Sequence, residues 1–226
     1  MRINKFIAQS GIASRRGADA LIVAGKVQVN GAVVRDLGVQ IDPIKDKVKV
    51  EGKKISIPLL KTYIMFYKPR GILSTMSPGD DTLSSYLQDM AASGLFHVGR
   101  LDRDSEGLLL VTNDGDWGNR IAHPRYQVSK EYEITLDSMI KDSDQQQLLN
   151  EVLLDDGPFK ADDISRIGDR RVRVVIRDGR NRVLRRAFAA LGYEVLELKR
   201  IAVGGVKLGK LRPGEWKEID PLTLSQ

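Results

Sequence analysis

Apolar positions recur in two different rhythms along the chain. Ile3, Phe6 and Ile7 fall at helical spacing, and Ser10-Gly11 breaks the run. Ser14 then offers an N-cap to a second helix on which Ala18, Leu21 and Ile22 share a face, and Gly25 closes it. Beyond Gly25 the rhythm changes to alternation. Val27 and Val29 precede the hairpin dipeptide Asn30-Gly31, and Lys47-Val48-Lys49-Val50 precedes Glu51-Gly52. The first segment therefore predicts two helices followed by a small hairpin-like sheet. A linker from Ser56 to Lys61, containing Ile57-Pro58, leads to a strand over Tyr63 to Tyr67 that ends in the turn Lys68-Pro69-Arg70-Gly71. From there strands and helices mix without a regular βαβ rhythm, and Arg171 to Ile176 alternates strictly. This predicts an α+β chain: a small domain over 1–58, and a larger one over 62–226 with a mixed, antiparallel-rich sheet and flanking helices.

Charge sharpens this division. Of 36 Lys and Arg and 30 Asp and Glu, residues 1–58 hold 11 and 5, leaving 25 and 25 for the remainder. The whole excess of +6 thus lies in the first quarter of the chain, which points to an anionic partner for that domain. Within the larger domain, Arg166 to Arg186 carries nine arginines against Asp169 and Asp178, whereas Asp137 to Asp163 is acidic, so one face of that domain is expected to be basic. Arg15 and Arg16 sit on the first turn of the second helix, where cations oppose the helix dipole. A bound phosphate would compensate, because helix-start amides and two guanidiniums together form an anion site.

Several chemistries are excluded or disfavoured. With no cysteine and two histidines, disulfides and thiolate metal sites are out, and no structural metal is expected. No signal-like or bilayer-spanning apolar run is present, so a cytoplasmic protein without a membrane partner is expected. There is no phosphate-binding P-loop and no dinucleotide fingerprint, and His97 and His123 lack a nearby serine or cysteine constellation. The segment richest in chemistry is Gly99 to Gly115, where Asp102, Asp104 and Glu106 lie between glycines and a strand. On their own these acids fit a solvated loop, an N-cap cluster or a weak metal site. Farther on, Leu184, Ala187, Phe188 and Leu191 form an apolar stripe that places Arg182, Arg185 and Arg186 together on another flank.

Two resemblances narrow these alternatives. The run from Arg2 to Gly38 resembles the alpha-L RNA-binding module first seen in a small-subunit ribosomal protein. It implies phosphate contacts by Arg2, Lys5, Arg15, Arg16 and Lys26. The segment Gly99-Arg100-Leu101-Asp102 followed by Gly107-Leu108-Leu109-Leu110-Val111-Thr112-Asn113-Asp114-Gly115 resembles the catalytic motif of RsuA/RluB-type ribosomal RNA pseudouridine synthases. The Lys68 to Gly71 turn, Lys130-Glu131-Tyr132, Asp178 to Arg186, Val195 to Ile201 and Leu211 to Trp216 match further elements of that family. Val183 stands where relatives usually carry Gln or Glu.

The second resemblance implies Asp102 as the catalytic carboxylate, as nucleophile or base, with no cofactor required, since breaking and remaking a ribose–uracil bond involves no redox step or external group. It implies that Tyr132 packs on an extruded uracil, that Leu198 supplies an apolar wall, and that Arg185 pairs with Asp102. Arg100, Arg182 and Arg186 are the RNA contacts expected from the larger domain. The expected partner is ribosomal RNA or an assembly intermediate, with the large subunit favoured, acted on by a monomer. A non-catalytic ribosome-assembly factor on the same scaffold is the alternative, although binding alone requires none of Asp102, Tyr132 and Arg185.

Overall fold

The structure, a computed structural model, describes residues 1–58, 60–87 and 94–224; Leu59, within the expected linker, and the last two residues of the chain lie outside them. The chain divides into two compact units, the first formed mainly by Met1–Thr62 and the second by Tyr63–Tyr86, His97–Val111 and Asp116–Gln226.

In the first unit α1 (Ile3–Gln9) and α2 (Arg15–Val23) precede a sheet of β1 (Val27–Val29), β2 (Ala32–Val34), β3 (Val48–Val50) and β4 (Lys53–Lys54), in the order β2-β1-β3-β4. Ser14 caps α2 by accepting a hydrogen bond from Gly17 N at 3.1 Å. Ile3, Phe6 and Ile7 of α1 meet Ala18 and Ile22 of α2 over Val27, Val48 and Val50. One side of the sheet is thereby sealed, leaving the polar alternates Lys49 and Lys54 directly opposed on the other.

The second unit is a nine-stranded sheet. Its strands are β5 (Tyr63–Lys68), β6 (Phe96–Val98), β7 (Glu106–Thr112), β8 (Lys130–Leu136), β11 (Asp163–Gly168), β12 (Arg171–Ile176), β13 (Val195–Val203), β14 (Val206–Lys207) and β15 (Trp216–Glu218). A separate hairpin pairs β9 (Val152–Leu154) with β10 (Gly157–Phe159). The main path runs β11-β12-β8-β13-β7-β5-β15, with β14 on β13 and β6 on β7. Helices α3 (Gly115–Ala122), α4 (Asp142–Asn150) and α5 (Val183–Ala190) complete the unit.

The unbroken apolar run of β5 reflects burial on both faces, since Ile64 to Tyr67 are all inaccessible, whereas β12 alternates because one of its faces meets solvent. Antiparallel pairing joins β11, β12, β8 and β13, whereas β13 meets β7 in a short parallel contact, Lys199 opposite Glu106 and Arg200 opposite Gly107. That contact needs a glycine. Gly107 has φ +105°, and a Cβ there would lie 2.3 Å from the Arg200 carbonyl oxygen and 2.7 Å from its nitrogen. Both obstacles are backbone, so no rotamer change relieves them. Gly107→Ala is expected to destabilise the protein by about 3 kcal/mol or more, from strain plus a broken strand contact. Urea unfolding measures this, and a loss under about 1 kcal/mol would show that β7 and β13 part easily.

Candidate active site

Asp102 lies on the loop that carries the chain from β6 to β7, and this loop is anchored along its length. Ser105 N donates to Asp102 O at 3.1 Å, closing a turn. Ser74 Oγ donates to Leu101 O at 2.6 Å and accepts from Leu101 N at 3.1 Å. Arg103 Nε donates to Gly71 O at 2.9 Å, Gly71 N returns a bond to Arg103 O at 2.7 Å, and Arg103 pairs with Asp81 at 2.6 Å. Beneath the loop, the fully buried Lys68 donates to Ser105 O at 2.7 Å and Pro69 O at 2.8 Å. Burial pushes the Lys68 ammonium down to about 8, against the pull of Asp102, Asp104 and Glu106.

The loop edges a cavity of about 260 Å³. Arg100, Asp102 and Ser105 contribute from the loop, Lys130 and Tyr132 from β8, Leu198 and Arg200 from β13, and Arg182 and Arg185 from the start of α5. Tyr132 and Leu198 are each 7% exposed, which makes them walls rather than rim. The Asp102 side chain is 34% exposed and accepts no hydrogen bond among the described residues.

The cations around Asp102 differ from the sequence expectation. Arg185 does not pair with Asp102. Its Nη1 donates to Val195 O at 2.7 Å and its Nη2 to Asp104 O at 3.1 Å, while Nε lies 3.3 Å from Asp104 Oδ2 without the alignment to donate to it. The nearest cation to Asp102 is Arg182, with Nη1 at 3.7 Å from Oδ2. Arg182 also grips Asp104 through two parallel bonds of 2.9 Å. The reason is register. Helix α5 begins at Val183, so Arg182 is its N-cap, in the left-handed region at φ +48°, rather than a residue on its flank. It therefore faces the loop, while Arg185 reaches behind Asp102 to Asp104. Val183, where a polar residue was expected by resemblance, is buried under the first turn of α5.

The expected basic face is largely neutralised. Arg186 pairs with Asp155 and Asp156 and takes no part in the cavity. Arg166, Arg171, Arg173, Arg177 and Arg180 are paired with Asp142, Glu133, Glu131 and Asp163, Asp162, and Asp156 and Asp178 respectively. In the first unit Arg2 is the N-cap of α1, Lys5 lies on α1, Arg15 and Arg16 open α2, and Lys26 pairs with Glu51 at 2.6 Å.

The sequence profile of the RNA pseudouridylate synthase family matches residues 62–190. The chain belongs to that family. A profile of the S4 domain matches residues 1–43, so the synthase carries an S4 RNA-binding module at its amino end. An uncharacterized RNA pseudouridine synthase of Aquifex aeolicus (strain VF5) is 40% identical over 100% of this chain and 93% of its own length. The ribosomal large subunit pseudouridine synthase B of Bacillus subtilis (strain 168) is 36% identical over 97% of this chain and 92% of its own. A pseudouridylate synthase crystal structure superposes with a TM-score of 0.72 at 30% identity, covering 100% of this chain and 98% of that one. The protein is thus an RNA pseudouridine synthase, an isomerase, on an α+β fold with a mostly antiparallel sheet. Among its described residues no helix is long and apolar enough to cross a membrane, and no group of three or more His, Asp or Glu is placed to hold a metal.

Lys130 and Arg200, matched in sequence only as members of family elements and given no role there, also line the cavity of the synthase. The signal was available in the strand period. Lys130 stands two before Tyr132 and Arg200 two after Leu198, so each cation shares a face with an apolar site residue.

Asp104 gives a pH test of the arginine fork. The hydrogen bond from Arg182, with the charges of Arg185 and Arg182, holds its carboxyl below the usual range, against the effect of burial. A carboxyl with a depressed folded-state pKa contributes stability that is present above its unfolded value and is lost as pH falls through the folded one. Asp104→Asn should therefore melt below the wild type at neutral pH, with the gap narrowing as pH falls below roughly 4. Calorimetry across pH measures it; a gap unchanged down to the acid limit would show that the ion pairs do not stabilise the loop.

Proposed function

We propose that this synthase isomerises a uridine of ribosomal RNA, in the large subunit, and that Asp102 is the carboxylate that acts on the ribose. The observation that carries the reading is the state of Asp102: a carboxylate without a hydrogen bond, facing a cavity walled by Tyr132 and Leu198, on a loop fixed by Lys68, Ser74 and Arg103. A protein that merely bound polyanionic RNA would gain nothing from an unneutralised carboxylate at that place, because it repels phosphate. The ribosomal substrate is supported by the S4 module and by the names of relatives such as the Bacillus subtilis protein.

The chemistry assigns roles to the rest of the cavity. A stacked uridine leaves its stack at a cost of a few kcal/mol and must be received by an aromatic or apolar surface, which Tyr132 and Leu198 provide. Asp102 then serves the sugar as nucleophile or as base. Arg182, the closest guanidinium, lies 3.7 Å from the Asp102 carboxylate and grips Asp104 beside it, and Arg185 acts at one remove by holding Asp104. In the first unit Arg15 and Arg16, with the amide end of α2, take an RNA phosphate, and Arg2, Lys5 and Lys26 add further contacts. The chain works as a cytoplasmic monomer and needs no cofactor.

Asp102→Asn is expected to abolish pseudouridine formation in single-turnover assays on ribosomal RNA fragments while RNA affinity stays within a few-fold. Substantial residual turnover would remove Asp102 from the reaction. The double change Arg15→Gln with Arg16→Gln should lower the slope of log affinity against log salt by about 0.8, at roughly 0.7 to 0.9 per lost phosphate contact. An unchanged slope across a salt series would show that α2 does not touch RNA.

A further inference from the structure

Two cations on the cavity wall have no counter-ion. Arg200 is 3% exposed; its Nε donates to Leu108 O at 2.7 Å and its Nη1 approaches Arg100 O at 3.4 Å. Lys130 is half-buried and its Nζ reaches Val128 O at 3.2 Å and Arg177 O at 3.5 Å. Among the described residues neither makes an ion pair, although nearly every arginine of the surrounding sheet does. Burial lowers the Lys130 pKa and the neighbouring Arg200 charge lowers it further, against a smaller pull from Asp178, so the two cations repel each other. Removing charges from water without compensation costs several kcal/mol per ion. The arrangement makes physical sense if an anion from outside the chain completes it.

Position identifies the anion. Arg200 is the cross-strand partner of Tyr132, Lys130 lies two residues along the same strand face, and both line the cavity with Leu198. The charges therefore meet the space assigned above to the extruded base, at the wall against which its ring packs. We infer that Lys130 and Arg200 hold the uracil as an anion while it is detached from the ribose. This rests on the preceding reading of the cavity as the uridine site.

The electron count requires such an anion. When the N1–C1′ bond breaks, its electron pair leaves with N1, and the ring carries one negative charge shared by N1, O2 and O4. Asp102 meanwhile answers the electron deficiency of the sugar, as nucleophile or base. The ring turns, and C5 forms its bond to C1′ as the Asp102–C1′ bond breaks or, if Asp102 acts as base, as the proton it took from the ribose returns; the C5 proton then departs and N1 takes up a proton, so the overall change is an isomerisation. Lys130 and Arg200 donate hydrogen bonds to the ring oxygens and transfer no proton. Because the charge exists only between bond cleavage and rebonding, their interaction is stronger along the reaction than in the bound uridine, and it raises the rate rather than the affinity.

The test compares two RNA substrates at saturating enzyme, one with uridine at the target and one with 5-fluorouridine, whose ring is the stronger acid and needs less help to leave as an anion. The readout is loss of the N1-linked nucleoside in a single turnover. Lys130→Met should slow uridine cleavage by about 10²-fold, the size expected for one lost donor to a developing anion, with RNA affinity little changed. Its deficit on 5-fluorouridine should be clearly smaller. Arg200→Lys, which keeps the buried charge, should retain more of the uridine rate than Arg200→Met, and unfolding midpoints of all three variants check that each is folded. Equal deficits on the two substrates, or weakened RNA binding with an intact saturating rate, would overturn the inference and make these cations structural or phosphate contacts. A wild type that fails to convert uridine, or an Asp102→Asn protein that converts it as well as the wild type, would instead overturn the reading of the cavity itself.

Discussion

The site depends on one short strand contact. The loop that carries Asp102 leads into β7, while Tyr132, Leu198 and Arg200 belong to the antiparallel block of β8 and β13. The backbone link from loop to block is the parallel pairing of Glu106 and Gly107 with Lys199 and Arg200, to which Arg185 and Arg200 add side-chain bonds. Asp102 and the cavity wall of Tyr132 and Leu198 are thus set against each other across a junction two residues long, tightened by a glycine with no side chain to keep the backbones apart. Lys68 and Ser74 then fix the loop from the other side. Geometry at this junction is transmitted directly to the distance between Asp102 and anything lying on Tyr132.

Charge in the cavity is partitioned rather than balanced. Asp104 absorbs the hydrogen-bonding capacity of Arg182 and part of that of Arg185, leaving Asp102 near a guanidinium but not bound by it. On β8 and β13 two cations, Lys130 and Arg200, line the same cavity without an ion pair among the described residues. A carboxylate and a pair of cations, each incompletely satisfied, face one small space. Such incompleteness is costly in a folded protein, and it persists where a ligand completes it.

Much of this was legible in the sequence. The change from helical to alternating spacing at Gly25, the cap at Ser14 and the doubly apolar strand from Tyr63 marked both units, because local sterics and burial fix those elements. The motif around Asp102 and the positions of Tyr132 and Leu198 could be carried over residue by residue, and they line one cavity. The partner of Arg185 was misjudged because its target depends on where α5 begins. The left-handed Arg182 stands at the N-cap and not on the helical flank, which changes the acid that each guanidinium meets. The run of arginines from Arg166 to Arg186 looked like an open basic face because its acids, Glu131, Glu133 and Asp155 to Asp163, come from other strands. Pairing across a sheet is not visible in linear composition.

The left-handed backbone of Arg182 has a further consequence for how this protein can change. A residue with a side chain in that region carries strain of about 1 kcal/mol or more, which glycine or asparagine would relieve. Either replacement would forfeit the two hydrogen bonds from Arg182 to Asp104, so backbone relief and the ion pair oppose each other at this helix start. The guanidinium that reaches Asp102 and Asp104 is what the strain maintains. A change at position 182 that relaxes the backbone therefore also releases the loop that carries Asp102, and the two effects cannot be separated by a single substitution.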